Sequence, residues 1–308
     1  MADDRDKPEK TLKRFGKSLK RALRSSSPKR VHQLRTGSRR LEAAVHALLL
    51  EDETRCRRLL KAVTRIRKRA GRVRDLDVLI QLASQLAAPG QEESVSQLLD
   101  HIEAQRRKGA RRLHRSIEHR FKEARHWLKR CRSLLQSNDG GQQAKIASVA
   151  DAVSTDLASW PRVTHENLHQ YRLRLKELRY TLELSVDSDS DQIDRIAEVT
   201  DAIGTWHDWN VLYATAKDLF EGRQALDLLR VIRFTVSAKL HDALAVASAM
   251  QNSIASTGQT NAHPGPLQFG LQRPRVRHAE VKDTGGKRGI SLPAPEHLYE
   301  VPRRPRAA

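Results

Sequence analysis

A chain of 308 residues with 57 Lys and Arg against 37 Asp and Glu carries a formal charge of +20 and has a pI near 10.5, which points to a polyanionic partner: nucleic acid, an anionic membrane surface or a polymeric phosphate. The sequence Met-Ala-Asp-Asp-Arg-Asp-Lys at the start has no apolar leader, and no stretch approaches the ~20 apolar residues of a membrane span. The two cysteines, Cys56 and Cys131, lie far apart and lack metal-ligand spacing, so neither a disulfide framework nor a thiolate zinc site is supported, and a reducing cytoplasm is the expected compartment.

Residues 1–136 hold 36 basic and 16 acidic residues and the remainder 21 of each, so the whole excess sits in the first half and argues for a localised surface. Pro8, Pro28, Pro89 and Pro161 are the only prolines before residue 263, and Leu, Ala, Arg, Lys and Glu recur at helical spacing without alternating β-branched runs. The fold class is all-α, built of long helices.

Ser27-Pro28 predicts an N-cap and first-turn proline. The helix that follows places Leu34, Leu41, Val45 and Leu48 on one face and His32, Arg35, Arg39 and His46 on another. Positions i, i+3 and i+7 stack vertically, so His32, Arg35 and Arg39 form a cationic stripe. Each like-charged pair costs an isolated helix roughly 0.2–0.5 kcal/mol, which calls for a compensating anion or an unusually wet face. A second helix, about Glu53 to Arg69, carries a basic row that includes Arg65 and continues to Arg72. A third, about Ser94 to Leu135, carries another, from Lys108 to Arg132.

The stripe then repeats. Leu-His-Gln-Tyr-Arg-Leu-Arg-Leu-Lys-Glu-Leu-Arg-Tyr places His169, Arg172 and Lys176 in register with His32, Arg35 and Arg39 at a shift of 137 residues, and adds Arg179 and Tyr180. Gly-Arg-Val-Arg-Asp-Leu-Asp-Val-Leu, after the His32 helix, aligns with Gly-Thr-Trp-His-Asp-Trp-Asn-Val-Leu, after the His169 helix, so Asp75 matches Asp208. Two tandem homologous units explain both matches. From about Thr257 the chain is rich in Gly, Pro and basic residues without an apolar period, and residues 257–308 are expected to be a disordered tail.

The His-x-x-Arg-x-x-x-Arg-Arg-Leu segment, the Arg-Asp-Leu-Asp-Val-Leu segment and the His-x-x-Arg-x-x-x-Lys-x-Leu-Arg-Tyr segment resemble the CHAD family, the conserved-histidine α-helical domains. The resemblance implies a domain over residues 1–256 with halves at about 10–138 and 142–252. It further implies two pseudo-twofold-related four-helix bundles around a basic central cavity that binds inorganic polyphosphate, and recruitment to polyphosphate granules. Carried onto this chain, the matching residues are His32, Arg35, Arg39, Arg40 and Arg74, then His169, Arg172, Lys176, Arg179 and Tyr180; Arg65 and Arg72 join them from the second helix's basic row. Glu42, where the family often has another basic residue, and Glu177, opposite Arg40 in the repeat, depart from a uniform cationic channel. No alternating-glutamate segment of the triphosphate-tunnel type is present.

For the histidines the alternatives are a phosphate contact or a neutral imidazole bridging helices; neither has an i+4 partner for a metal, so no metal or other cofactor is expected. Asp75, Asp77 and Asp208 are expected to cap helices or to pair with Arg74, and Trp206 and Trp209 to fill the core. The chain is thus expected to be a non-catalytic polyphosphate binder with no membrane partner. Weak nucleic-acid binding and a phosphate-polymer hydrolase remain as alternatives; an aromatic content of 4% offers few platforms for bases.

Overall fold

The computed structural model describes residues 7–48, 50, 53–86, 89–137, 141–221 and 225–260. Among them are eight α-helices and no strand. The first half contributes α1 (Lys7–Arg24), α2 (Pro28–Ala47), α3 (Thr54–Ala83) and α4 (Glu92–Ser137). The second repeats the order with α5 (Gln142–Ala158), α6 (Leu168–Leu182), α7 (Ser190–Leu219) and α8 (Leu226–Thr260). Helix α8 runs about one turn past the expected boundary at residue 256, and the rest of the tail lies outside the described residues.

Local chemistry sets most helix starts. Ser27 and Pro28 stand at the N-cap and N1 of α2 as expected, although the Ser27 hydroxyl makes no capping bond. The equivalent helices α3 and α7 are capped alike, by Glu53 accepting from the Arg55 N–H at 3.5 Å and Asp189 accepting from the Asp191 N–H at 2.9 Å. Helix α3 does not end near Arg69. An interior glycine costs about 1 kcal/mol relative to alanine, which is outweighed here by burial of Ala70, Val73, Leu76 and Leu79 on either side of Gly71. Asp75 and Asp77 are therefore mid-helix residues, as is Asp208 in α7, and the expectation that they cap helices is overturned.

Each half closes a four-helix bundle, α1 to α4 and α5 to α8. The core of the first packs Leu12, Phe15 and Leu19 of α1 against Leu34, Leu41, Leu59, Ile66, Leu113 and Ile117. Tyr171, Leu175, Ile203 and Trp206 centre the second. A third core, unforeseen in the sequence, joins the far ends of two hairpins: Leu76, Leu79, Leu98 and Ile102 of α3 and α4, with Trp209, Leu212, Phe220, Leu228 and Ile232 from α7 and α8 or the turn between them. Between the halves, α2 packs on α6 and α3 on α7. Equivalents meeting equivalents is the pattern of a pseudo-twofold arrangement. Cys56 and Cys131, distant in sequence, are both free and buried and belong to the core of the first bundle.

Candidate functional site

The α2–α6 contact brings the two stripes face to face. Arg35 and Arg39 from α2 and Arg172, Lys176 and Tyr180 from α6 line one cleft of about 360 Å³, with Glu42 and Glu177 on its walls. The packing behind it fixes the guanidinium groups. Arg172 Nε donates to the Thr200 carbonyl at 2.9 Å, and a Cβ on Gly204 would stand 2.5 Å from Arg172 Nη2. Gly71, the repeat equivalent on α3, faces Arg35 more loosely, at 3.9 Å from Nε. The glycine of the repeated motif is thus the space into which the stripe arginine lies. Glu42 pairs with neighbouring arginines: its carboxylate is 3.5 Å from Arg39 and 3.3 Å from Arg67.

So many cations in one half-buried recess disturb one another. Burial, then Arg172 and Arg35, lower the Lys176 pKa to about 7. Burial first and Arg67 next lower Arg39, and burial leads again for Arg172, where Asp208 acts in the opposite sense. Asp75, on α3 behind the cleft lining, has its carboxyl pKa raised by the protein packed around it; Arg35 counters that and Asp208 reinforces it. Asp75 and Asp208 thus sit within electrostatic reach of the two stripe arginines, partly balancing them.

The other expected contacts lie elsewhere. His32 is exposed and lines a neighbouring groove between α1 and α2 with Arg40; burial of its ring and the charge of Arg74 lower its pKa. His169 packs on His207 at 5.4 Å between ring centroids. Its Nδ1 is buried without a partner, so it does not bridge helices through that atom. Burial, then His207, hold its pKa down to about 4. Arg40 and Arg179 share Glu183, at 2.8 and 3.2 Å, in an ion-pair bridge from α2 to α6. Arg65 and Arg72 belong to a different face, where they crowd Arg69, whose Nη1 donates to the Arg112 carbonyl at 2.7 Å on α4. The vertical stripe therefore divides on α2, because at about 100° per residue Arg35 stands about 60° round the helix from His32, which falls on the Thr36 and Arg40 side.

Asp77 pairs with Arg106 at 2.9 Å rather than with Arg74. Trp206 and Trp209 are buried in the core, as expected. Asp201, which supports the charge of Lys176, and His207, which bears on His169, were not legible as site residues, since only the α6–α7 packing carries them there. Among the described residues no cluster of three or more His, Cys, Asp or Glu is placed to hold a metal ion, and no helix is long and apolar enough to cross a membrane.

No curated protein matches the chain. Among solved structures, the CHAD domain from the plant Ricinus communis superposes with a TM-score of 0.60 at 20% identity, covering 80% of this chain and 88% of that one, a likeness of fold. The family model described as CHAD domain matches residues 9–217. That span runs from α1 to the last turn of α7 and takes in both stripes, both motif glycines and the aspartates behind them, so the chain belongs to the CHAD family.

Proposed function

We propose that the chain binds inorganic polyphosphate, without turning it over, in the cleft between α2 and α6, and that this holds it at polyphosphate granules. The observation that carries the reading is the convergence of Arg35, Arg39, Arg172 and Lys176, two from each half, on one recess where burial first and the neighbouring arginines next lower the Lys176 pKa. A linear anion with about one charge per phosphate and no bases to read needs repeated donors along a groove. Charge-assisted hydrogen bonds of ~1.5–3 kcal/mol each supply that. No Phe or Trp lines the cleft, whose rings are those of Tyr180 and His46 among six charged side chains, which favours a phosphate polymer over stacked bases. The carboxylates behind the cleft are engaged electrostatically with its own arginines, which favours a receptor over a hydrolase.

Arg35→Glu and Arg172→Glu are each expected to weaken long-chain polyphosphate binding by about 100-fold, two lost or reversed contacts' worth, while the helical circular-dichroism signal is retained. Unchanged binding removes the cleft as the site. In competition at equal charge concentration, polyphosphate is expected to displace double-stranded DNA; the reverse order turns the reading toward nucleic acid. Release of phosphate on incubation with polyphosphate and Mg²⁺ would replace the receptor with an enzyme.

A further inference from the structure

We infer that the groove between α1 and α2 is a second phosphate-binding site, which takes the continuation of the polyphosphate chain beyond the central cleft. The inference rests on the central cleft's being the primary site. Arg14, Lys17 and Arg21 on α1 form one wall, and His32, Thr36 and Arg40 on α2 the other. The α1 residues follow the same i, i+3, i+7 spacing as the two repeated stripes.

Three observations make this a receptor for anions and not an ordinary solvated face. Arg14, Lys17 and Arg21 make no ion pair among the described residues, whereas Arg39, Arg40, Arg67, Arg106, Arg132 and Arg179 do. The acid of α1, Glu9, is turned away: it accepts from Arg132 at 2.7 Å and Gln136 at 3.1 Å, both on α4. No carboxylate lines the groove, while Glu42 and Glu177 line the central cleft. The two recesses are also alike in size, about 350 and 360 Å³. At the floor a Cβ on Gly37 would be 3.2 Å from Ser18 Oγ, so the helices close there and the cations are left lining the opening.

Helix α2 is the wall common to both recesses, presenting Arg35 and Arg39 to one and His32, Thr36 and Arg40 to the other. A flexible phosphate chain that crosses α2 beside Arg39 and Arg40 passes from the central cleft into the groove. A short oligomer fills one recess and a long one spans both, so affinity rises with chain length.

The test is calorimetric titration of the full chain with tripolyphosphate and with long-chain polyphosphate. The variants are Arg14→Glu/Lys17→Glu/Arg21→Glu and, with the same charge change on a remote exposed surface of α7 and α8, Lys217→Glu/Arg230→Glu/Arg233→Glu. The native chain is expected to bind two tripolyphosphates and the α1 variant one. Long-chain affinity should fall about tenfold or more in the α1 variant and about twofold or less in the control, with circular dichroism unchanged in both. A single tripolyphosphate site indifferent to the α1 changes, or an equal loss of long-chain affinity in both variants, overturns the second site. Failure of the primary reading is separable, because there Arg35→Glu/Arg172→Glu leaves tripolyphosphate binding untouched.

Discussion

Lys176 is the group through which the cleft senses pH. Its amine is half-buried and lies among Arg172, Arg35 and Arg39, with Asp201 the one acid that supports its charge. The free protein therefore releases the Lys176 proton at about 7, whereas the unfolded chain keeps it to about 10.5. Two consequences follow from linkage. Below about pH 7 the amine is charged in both states and the full penalty of burying that charge is present; as pH rises from 7 toward 10.5 the unfolded state holds more protons, and stability recovers. A bound polyanion raises the same pKa, so binding takes up a proton above pH 7 and affinity declines as pH rises past neutrality. Lys176→Arg should flatten that decline while preserving affinity at about pH 6, measured by titrating polyphosphate across the range. A slope that survives the substitution assigns the proton to another group. His169 does not fill that role in the free protein, since its pKa of about 4 leaves it neutral across the range. The cation at position 176 was legible from its spacing after Arg172. Its lowered pKa was not, because the burial that leads it, and the Arg35 and Arg39 charges that add to that of Arg172, arise only where α6 packs on α2 and α7.

At the level of the helices, the two motif glycines are repeat equivalents with unequal duties. On α7 the Arg172 guanidinium lies flat against Gly204 and donates to the Thr200 carbonyl; a methyl group there collides with Nη2 at 2.5 Å. On α3 the corresponding approach is an ordinary contact at 3.9 Å. Replacing an interior helical glycine by alanine gains up to about 1 kcal/mol of helix propensity. Gly71→Ala is thus expected to leave polyphosphate affinity unchanged and to stabilise slightly. Gly204→Ala is expected to displace Arg172, cost about 1–3 kcal/mol through overpacking and a lost hydrogen bond, and weaken binding by about tenfold. Thermal melts and titrations of the pair decide it; equal behaviour would show that Arg172 relaxes without loss. The alignment of Gly71 with Gly204 was visible in the sequence, as were the stripes and most helices. What that alignment meant was not, because a glycine followed by charged residues also reads as a helix break, and only the burial of Val73 and Leu76 beyond it shows α3 continuing.

Across the whole molecule, the repeat builds more than two copies of one bundle. The long hairpins α3–α4 and α7–α8 outrun their own bundles and meet in the third core, where Leu79, Leu98 and Ile102 from one half face Leu212, Leu228 and Ile232 from the other. Each such side chain contributes roughly 1.5–3 kcal/mol on burial, so several exposed at once approach the ~5–15 kcal/mol that holds a domain folded. The cleft lies on the same interface, with two of its cations in each half. Folding and the proposed binding are therefore expected to depend on both halves, even though the net charge belongs to the first half alone. Residues 1–140 expressed alone are expected to bind a hydrophobic dye, to self-associate on gel filtration and to bind polyphosphate at least about tenfold more weakly than the full chain. Adding back residues 141–262 should reverse all three changes. A monomeric, dye-silent first half would mean that α3 and α4 satisfy their apolar ends without the second repeat. In the full chain, Leu212→Ala tests the same core by a smaller step: a loss of about 2–5 kcal/mol in a single transition is expected if both halves unfold as one, and two separated transitions if they do not.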